Sequence, residues 1–154
     1  MKLVLSIFLL VLLSLCISSV VMGQNSDFQS LRDGAEKLVK GKNPKWKLIT
    51  KQERDQQITY QWGLEKADVM VTIFYGASRA DAAQKMSYAV SHISVGPDVK
   101  LKGLGDEAYL WKSYGSDVGA IKFRKDNVYI DVAANSMALV KDLAKGLAHL
   151  IPDK

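Results

Sequence analysis

Apolar and polar residues recur along this chain with two different periods, and the points where the period changes divide it into elements. From Ser26, an N-cap type of residue, Phe28, Leu31, Ala35, Leu38 and Val39 recur at helical spacing. Gly41 ends that run and Pro44 prevents its resumption. The period then drops to two. Trp46, Leu48 and Thr50 alternate with Lys47, Ile49 and Lys51, and after a polar turn through Gln56 the residues Ile58, Tyr60, Trp62 and Leu64 alternate with Gln57, Thr59 and Gln61. Val69 to Tyr75 is apolar on both faces, which predicts an interior strand. Ser78 to Asp81 reads as a capping box with Asp in place of Glu, opening a second helix with the stripe Ala83, Met86, Val90 and Ile93 before Gly96-Pro97 stops it. A short segment at Val99 to Leu101, a strand at Ala108 to Lys112, a hairpin and a third helix follow. The third helix is capped by Asn135 or Ser136 and carries Leu139, Val140, Leu143, Leu147 and Leu150 on one face.

The hairpin fixes a register by side-chain chemistry. Asp126 and Asn127 tolerate positive φ and suit a two-residue turn. With that turn, Phe123 faces Ile130 and Ile121 faces Val132 on one side, while Lys122 with Asp131 as a charge pair and Arg124 with the Tyr129 ring as a cation-π pair share the other. A slip of one residue would destroy all four pairings together.

The element order predicts an α+β two-layer sandwich: an antiparallel sheet of about six strands with helices on one face, in the order α-βββ-α-βββ-α. Shifting the chain on itself by 57 positions superimposes one strand-helix unit on another. Val71, Ile73 and Tyr75 fall on Val128, Ile130 and Val132, and His92 falls on His149. This reads as a repeated architecture.

Residues 1–23 have the form of a secretory signal peptide: a positive start at Lys2, a long apolar run and a small residue at Gly23. An uncleaved N-terminal membrane helix is the alternative. The expected product is a single domain over residues 24–154, exported to the periplasm or beyond. Cys16 is the only cysteine and lies inside the leader, so the remainder has no disulfide and depends on its core. Leu15 stands where a lipoprotein box needs a small residue, which argues against lipidation. Without Lys2 the 21 basic residues become 20, against 16 acidic ones. That mild excess does not indicate nucleic acid.

No nucleophile or metal motif is present: G-x-S-x-G, S-x-x-K and H-E-x-x-H are all absent. Gly103 to Ala108 has the letters of a dinucleotide fingerprint, but a strand follows it instead of a helix, and Asp106 and Glu107 would repel phosphates. Those glycines read as turn formers. His92 and His149 would each lie in the last turn of a helix, where the macrodipole favours a histidine. Neither a cofactor nor a metal is expected.

Two binding surfaces remain. Lys37, Lys40, Lys42, Lys45, Lys47 and Lys51 carry six positive charges with no acid between them, in a run that crosses a helix end, a loop and a strand with its lysines on one face. They read either as a solvated helix end and a protected edge strand or as a contact for an anionic surface, such as lipid head groups or cell-wall polymer. The second surface is the sheet face opposite the helices, where parity places Met70, Thr72, Phe74, Lys122, Arg124, Tyr129 and Asp131 with Tyr109 and Trp111. Phe74, Trp111, Lys122, Arg124 and Tyr129 are its candidate partner-binding residues.

The run GLGDEAY, followed by an aromatic strand and FRKDNVYIDV ahead of a terminal amphipathic helix, resembles uncharacterised secreted proteins and lipoproteins of bacteria. The architecture resembles the two-layer sandwich of the PsbP family. The resemblance implies an envelope location and a non-catalytic domain, and it transfers no site residues. The expectation is an exported binding or accessory protein without catalytic activity, monomeric or weakly dimeric, that contacts a protein or anionic ligand and at most the periphery of a membrane. An unrecognised secreted hydrolase is the alternative.

Overall fold

In a computed structural model, residues 26–93, 97, 99–113 and 115–153 are described. The predicted leader and Gly96 lie outside them. Helix α1 occupies residues 26–42, one position beyond Gly41. The strands β1 (Lys47–Arg54), β2 (Gln57–Leu64) and β3 (Ala67–Tyr75) follow, then α2 (Arg79–Ser91). The strands β4 (Val99–Leu101), β5 (Glu107–Lys112), β6 (Gly119–Lys125) and β7 (Val128–Ala134) lead to α3 (Met137–Leu150). The α+β class and the antiparallel sheet are as expected. Val99–Leu101 supplies a seventh strand by pairing with β5, so the order is α-βββ-α-ββββ-α.

Tight turns set the strand registers. Asp55-Gln56, Glu65-Lys66 and Asp126-Asn127 each join neighbouring strands, and the first residue of each pair has positive φ, at 48°, 56° and 54°. That left-handed backbone lets a two-residue connection follow the twist of its strands. All four predicted pairings across Asp126-Asn127 form. The Ser78–Asp81 capping box also forms, with the Asp81 amide donating to Ser78 Oγ at 3.2 Å and the Ser78 amide to Asp81 Oδ2 at 2.9 Å. Ser136 caps α3, while the Asn135 amide side chain donates instead to the Lys66 carbonyl at 2.7 Å.

The sheet runs β1-β2-β3-β7-β6-β5-β4. One face carries unbroken apolar rows: Ile58, Ile73, Ile130, Phe123 and Ala108 are cross-strand neighbours, and so are Tyr60, Val71, Val132 and Ile121. Helices α1 and α3 cover this face through Leu31, Ala35, Val39, Val140, Leu143 and Leu147, all buried in the same core. The two helices run antiparallel in close contact. A Cβ on Gly34 would lie 2.6 Å from Leu150 Cδ1, one on Gly146 would lie 3.0 Å from Leu38 Cδ2, and Lys42 pairs with Asp142 further along.

Helix α2 lies across the other face. Phe74 and Tyr129 are direct cross-strand partners pointing away from the main core, yet Tyr129 is only 2% exposed. The cover comes from α2: Lys85 places its ammonium 5.6 Å from the centre of the Phe74 ring, and Ala82 and Met86 are buried there, outside the main core cluster. The buried stripe is therefore Ala82 and Met86, with Ala83 half-buried beside them. Helices thus lie on both faces. Since α2 must carry the chain from interior β3 to the far edge at β4, it crosses over β7 and β6.

The 57-residue repeat has a geometric counterpart in the strands but not in the helices. Ile73 and Ile130, 57 apart, are direct partners at the centre of the β3–β7 ladder, but α2 and α3 go to opposite faces. Each helix end keeps its histidine. His92 Nδ1 lies 2.9 Å from the Tyr88 carbonyl and His149 Nδ1 2.7 Å from the Lys145 carbonyl, the same bond to the residue four positions earlier.

Candidate functional site

The second face changes character from one end to the other. At the α2 end, Phe74, Tyr129, Arg124 and Glu107 form one cross-strand row. Tyr129 is buried beneath the helix, where burial first and the Asp131 carboxylate second push its phenol far above the ordinary range. It has no surface to offer a partner, which removes it as a contact residue. Arg124 is spoken for as well. Its Nη1 donates to Asp106 Oδ2 at 2.7 Å and to the Asp126 carbonyl at 3.4 Å, so it braces the hairpin turn where a cation-π contact with Tyr129 was expected.

The next row holds Thr59, Thr72, Asp131, Lys122 and Tyr109. Lys122 forms the predicted ion pair with Asp131, both side chains being 13% exposed, and its ammonium also sits 5.6 Å from the centre of the Trp111 ring. Asp131 Oδ1 is buried without a hydrogen-bond partner among the described residues. The Tyr109 hydroxyl donates to Glu107 at 2.9 Å, and this bond holds the phenol above its usual range. The Thr59 and Thr72 hydroxyls bond each other at 3.0 Å.

The far row is open: Thr50, Gln61, Met70, Ala133, Ala120 and Trp111. Met70 is 39% exposed, although its neighbours Val69 and Val71 are fully buried. Beside α2 a cavity of about 570 Å³ is lined by Gln56, Phe74, Ala77, Asp81, Gln84, Lys85 and Tyr88. Of the five predicted partner-binding residues, Phe74 lines this cavity and Trp111 ends the open row, while Lys122, Arg124 and Tyr129 serve the interior of the fold. Met70 joins the binding candidates, and so do Lys85 and Tyr88. Parity alone points to Met70, but the α2 residues are invisible until the helix is placed on this face.

The lysine run is divided. Lys40 pairs with Glu36 at 2.7 Å, Lys42 with Asp142, and Lys51 lies 6.0 Å from the centre of the Tyr60 ring. Lys37, Lys45 and Lys47 are exposed and make no ion pair among the described residues. A bulge between Leu48 and Thr50 reverses the parity of β1. Lys47, opposite Gly63, therefore points to the second face and Lys51, opposite Tyr60, to the first. The expectation that these lysines share one face fails there.

The Gly103–Ala108 loop has a structural task. Gly103 and Gly105 have φ of +73° and +65°, and a side chain at Gly105 would collide with the Arg124 carbonyl. This backbone sends Leu104 into the core and lets Asp106 accept from the Asp126 amide at 2.9 Å. Among the described residues no group of three or more His, Cys, Asp or Glu side chains could hold a metal ion. Compared with protein-family models, curated proteins and solved structures, the chain matches none of them.

Proposed function

We propose that this is an exported binding or accessory domain of the bacterial envelope, without catalytic activity, that holds a protein partner on the open part of its second sheet face. The observation that carries the reading is Met70: a large apolar side chain left 39% exposed on a strand whose other side is sealed, with half-buried Phe74 four residues along that strand and half-buried Trp111 at the far end of its cross-strand row. Its hydroxyl and amide neighbours Thr50, Thr59, Gln61 and Thr72 supply the polar rim such contacts need. No helix among the described residues is long and apolar enough to cross a membrane.

The test is capture of partners from envelope extract by the wild-type chain and by a Met70→Ala, Phe74→Ala, Trp111→Ala variant. Arg124 and Tyr129 are left alone because changing them would disturb the fold. The variant should lose a partner that wild type retains; recovery of the same set by both proteins would refute the assignment.

A further inference from the structure

We propose that the corner where α1 passes into β1 is a docking element for anionic lipid bilayers, distinct from the Met70 to Trp111 stretch of the open row. Leu48 is 43% exposed and Ile49 is 56% exposed, two large aliphatic side chains in succession on an edge strand. Adjacent strand residues point to opposite faces, and the bulge shifts that pattern only from Thr50 onward. Leu48 stays opposite Trp62, while Ile49 leans over Gly63, whose missing side chain leaves it room. Leu48 thus flanks the outer edge of β1 on the first face and Ile49 on the second, so both tips are presented to a surface that meets the edge head-on.

Lys47, opposite Gly63, shares the second face with Ile49. The Lys45 amide donates to Asn43 Oδ1 at 2.9 Å and the Trp46 amide to the Asn43 carbonyl at 3.1 Å, a tight turn that leads exposed Lys45 into the start of β1. Neither lysine pairs with an acid among the described residues. The nearest acid along the register is Asp68, across Gly63, and its Oδ1 shares with Ile49 Cδ1 the space that a Gly63 side chain would fill. Trp46 is buried and anchors the turn to the core.

This combination suits a membrane surface better than a soluble polyanion. Phosphate-bearing polymers would satisfy the ammonium groups, but a hydrated chain gains nothing from two aliphatic side chains. At a bilayer the lysines reach phosphate head groups while Leu48 and Ile49 enter the boundary with the acyl chains. Insertion stops at that depth, because the outer edge of β1 carries backbone groups that hydrocarbon cannot satisfy.

Residues 24–154 hold every member of the core, from Leu31 to Ile151, and are the chain to test. It should sediment with phosphatidylcholine vesicles containing phosphatidylglycerol and not with phosphatidylcholine alone, and added salt should weaken it. Lys45→Glu with Lys47→Glu should weaken binding by more than about 20-fold, near fivefold per lysine before counting the new repulsion. Leu48→Ser with Ile49→Ser should weaken it by about tenfold or more. Since all four positions are exposed, the variants keep the core intact. Absence of lipid-dependent binding by wild type would overturn the proposal. Wild-type affinity in the Leu48, Ile49 variant would overturn it as well, leaving a purely electrostatic contact of the kind a soluble polyanion makes. A second readout is an environment-sensitive fluorophore on Ile49→Cys, the only cysteine from Gln24 onward. Its emission should shift to the blue on the anionic vesicles, and an unchanged spectrum would contradict insertion. The Met70, Phe74, Trp111 variant should bind vesicles as wild type does, so the two surfaces stand or fall separately.

Discussion

The two faces of this sheet solve the same burial problem with different chemistry. Under α1 and α3, five strands contribute an unbroken apolar row from Ile58 through Phe123 to Ala108, each residue at 0% exposure. Under α2 the strands β3, β7 and β6 contribute Thr72, Asp131, Lys122, Arg124 and Tyr129, half-buried or buried, with the charged ones held in ion pairs. Apolar burial is additive and needs no geometry beyond shape. A charge withdrawn from water needs a partner in place, and its removal exposes the cost of the other. The first face therefore supplies most of the stability, and the second is where single substitutions have effects that depend on their partners.

The largest expected contrast is between Phe123 and Met70. Phe123→Ala should cost about 3–5 kcal/mol, read from the urea midpoint at unchanged slope. Met70→Ala, on the open row, should change stability by less than about 0.5 kcal/mol. Comparable losses at both positions would show the second face to be as sealed as the first.

A smaller effect is expected within the polar network. Asp131→Ala strands the Lys122 ammonium at 13% exposure and should cost about 2 kcal/mol. Lys122→Met combined with Asp131→Leu should return to within about 1 kcal/mol of wild type, since the unpartnered Asp131 Oδ1 disappears as well. A double variant as unstable as the single one would mean that the pair does more than satisfy its own charges.

The smallest effect appears only in alkali. Burial keeps the Tyr129 phenol protonated in the folded chain, whereas in the unfolded chain it ionises near its ordinary value of about 10. Above that pH the unfolded state has released a proton that the folded state retains, so stability falls as pH rises. Tyr129→Phe should match wild type to within about 1 kcal/mol near neutrality and decline less steeply above about pH 10. Lysines titrate there in both proteins, so the difference between the curves is the measurement, and parallel curves would place Tyr129 in contact with water.

The first face was readable from local pattern because its signals are local. The turn at Asp126-Asn127, the alternation in β2 and the capping box at Ser78 each depend on residues within a few positions of one another, and all three form. The placement of α2 depends on where a crossover must end, which no window of sequence contains. One signal pointed to it: Phe74 and Tyr129 put bulky rings side by side on the face expected to be open, and such a pair calls for cover. The candidate site is affected for the same reason, since strand parity places Tyr129, Arg124 and Lys122 on a surface that α2 and the local ion pairs occupy. The bulge at Ile49 leaves no trace within β1, where no glycine or proline marks it, and its one sign is Gly63 on the facing strand, over which Ile49 packs.

The β3–β7 ladder joins two groups of strands, each of which can be built by short turns without the other. Every other pairing in the sheet is between strands consecutive in the chain, so this seam alone must bring together distant residues, as far apart as Val69 and Ala134. Closing so long a segment is the slow, entropically demanding event in folding, and it comes naturally after the two meanders have formed. Its cost grows only logarithmically, by about 0.6 kcal/mol for each doubling of the intervening length. The connection between α2 and β4 is therefore the place where this fold can accept added sequence with little loss, and where a longer variant of the same architecture could have diverged.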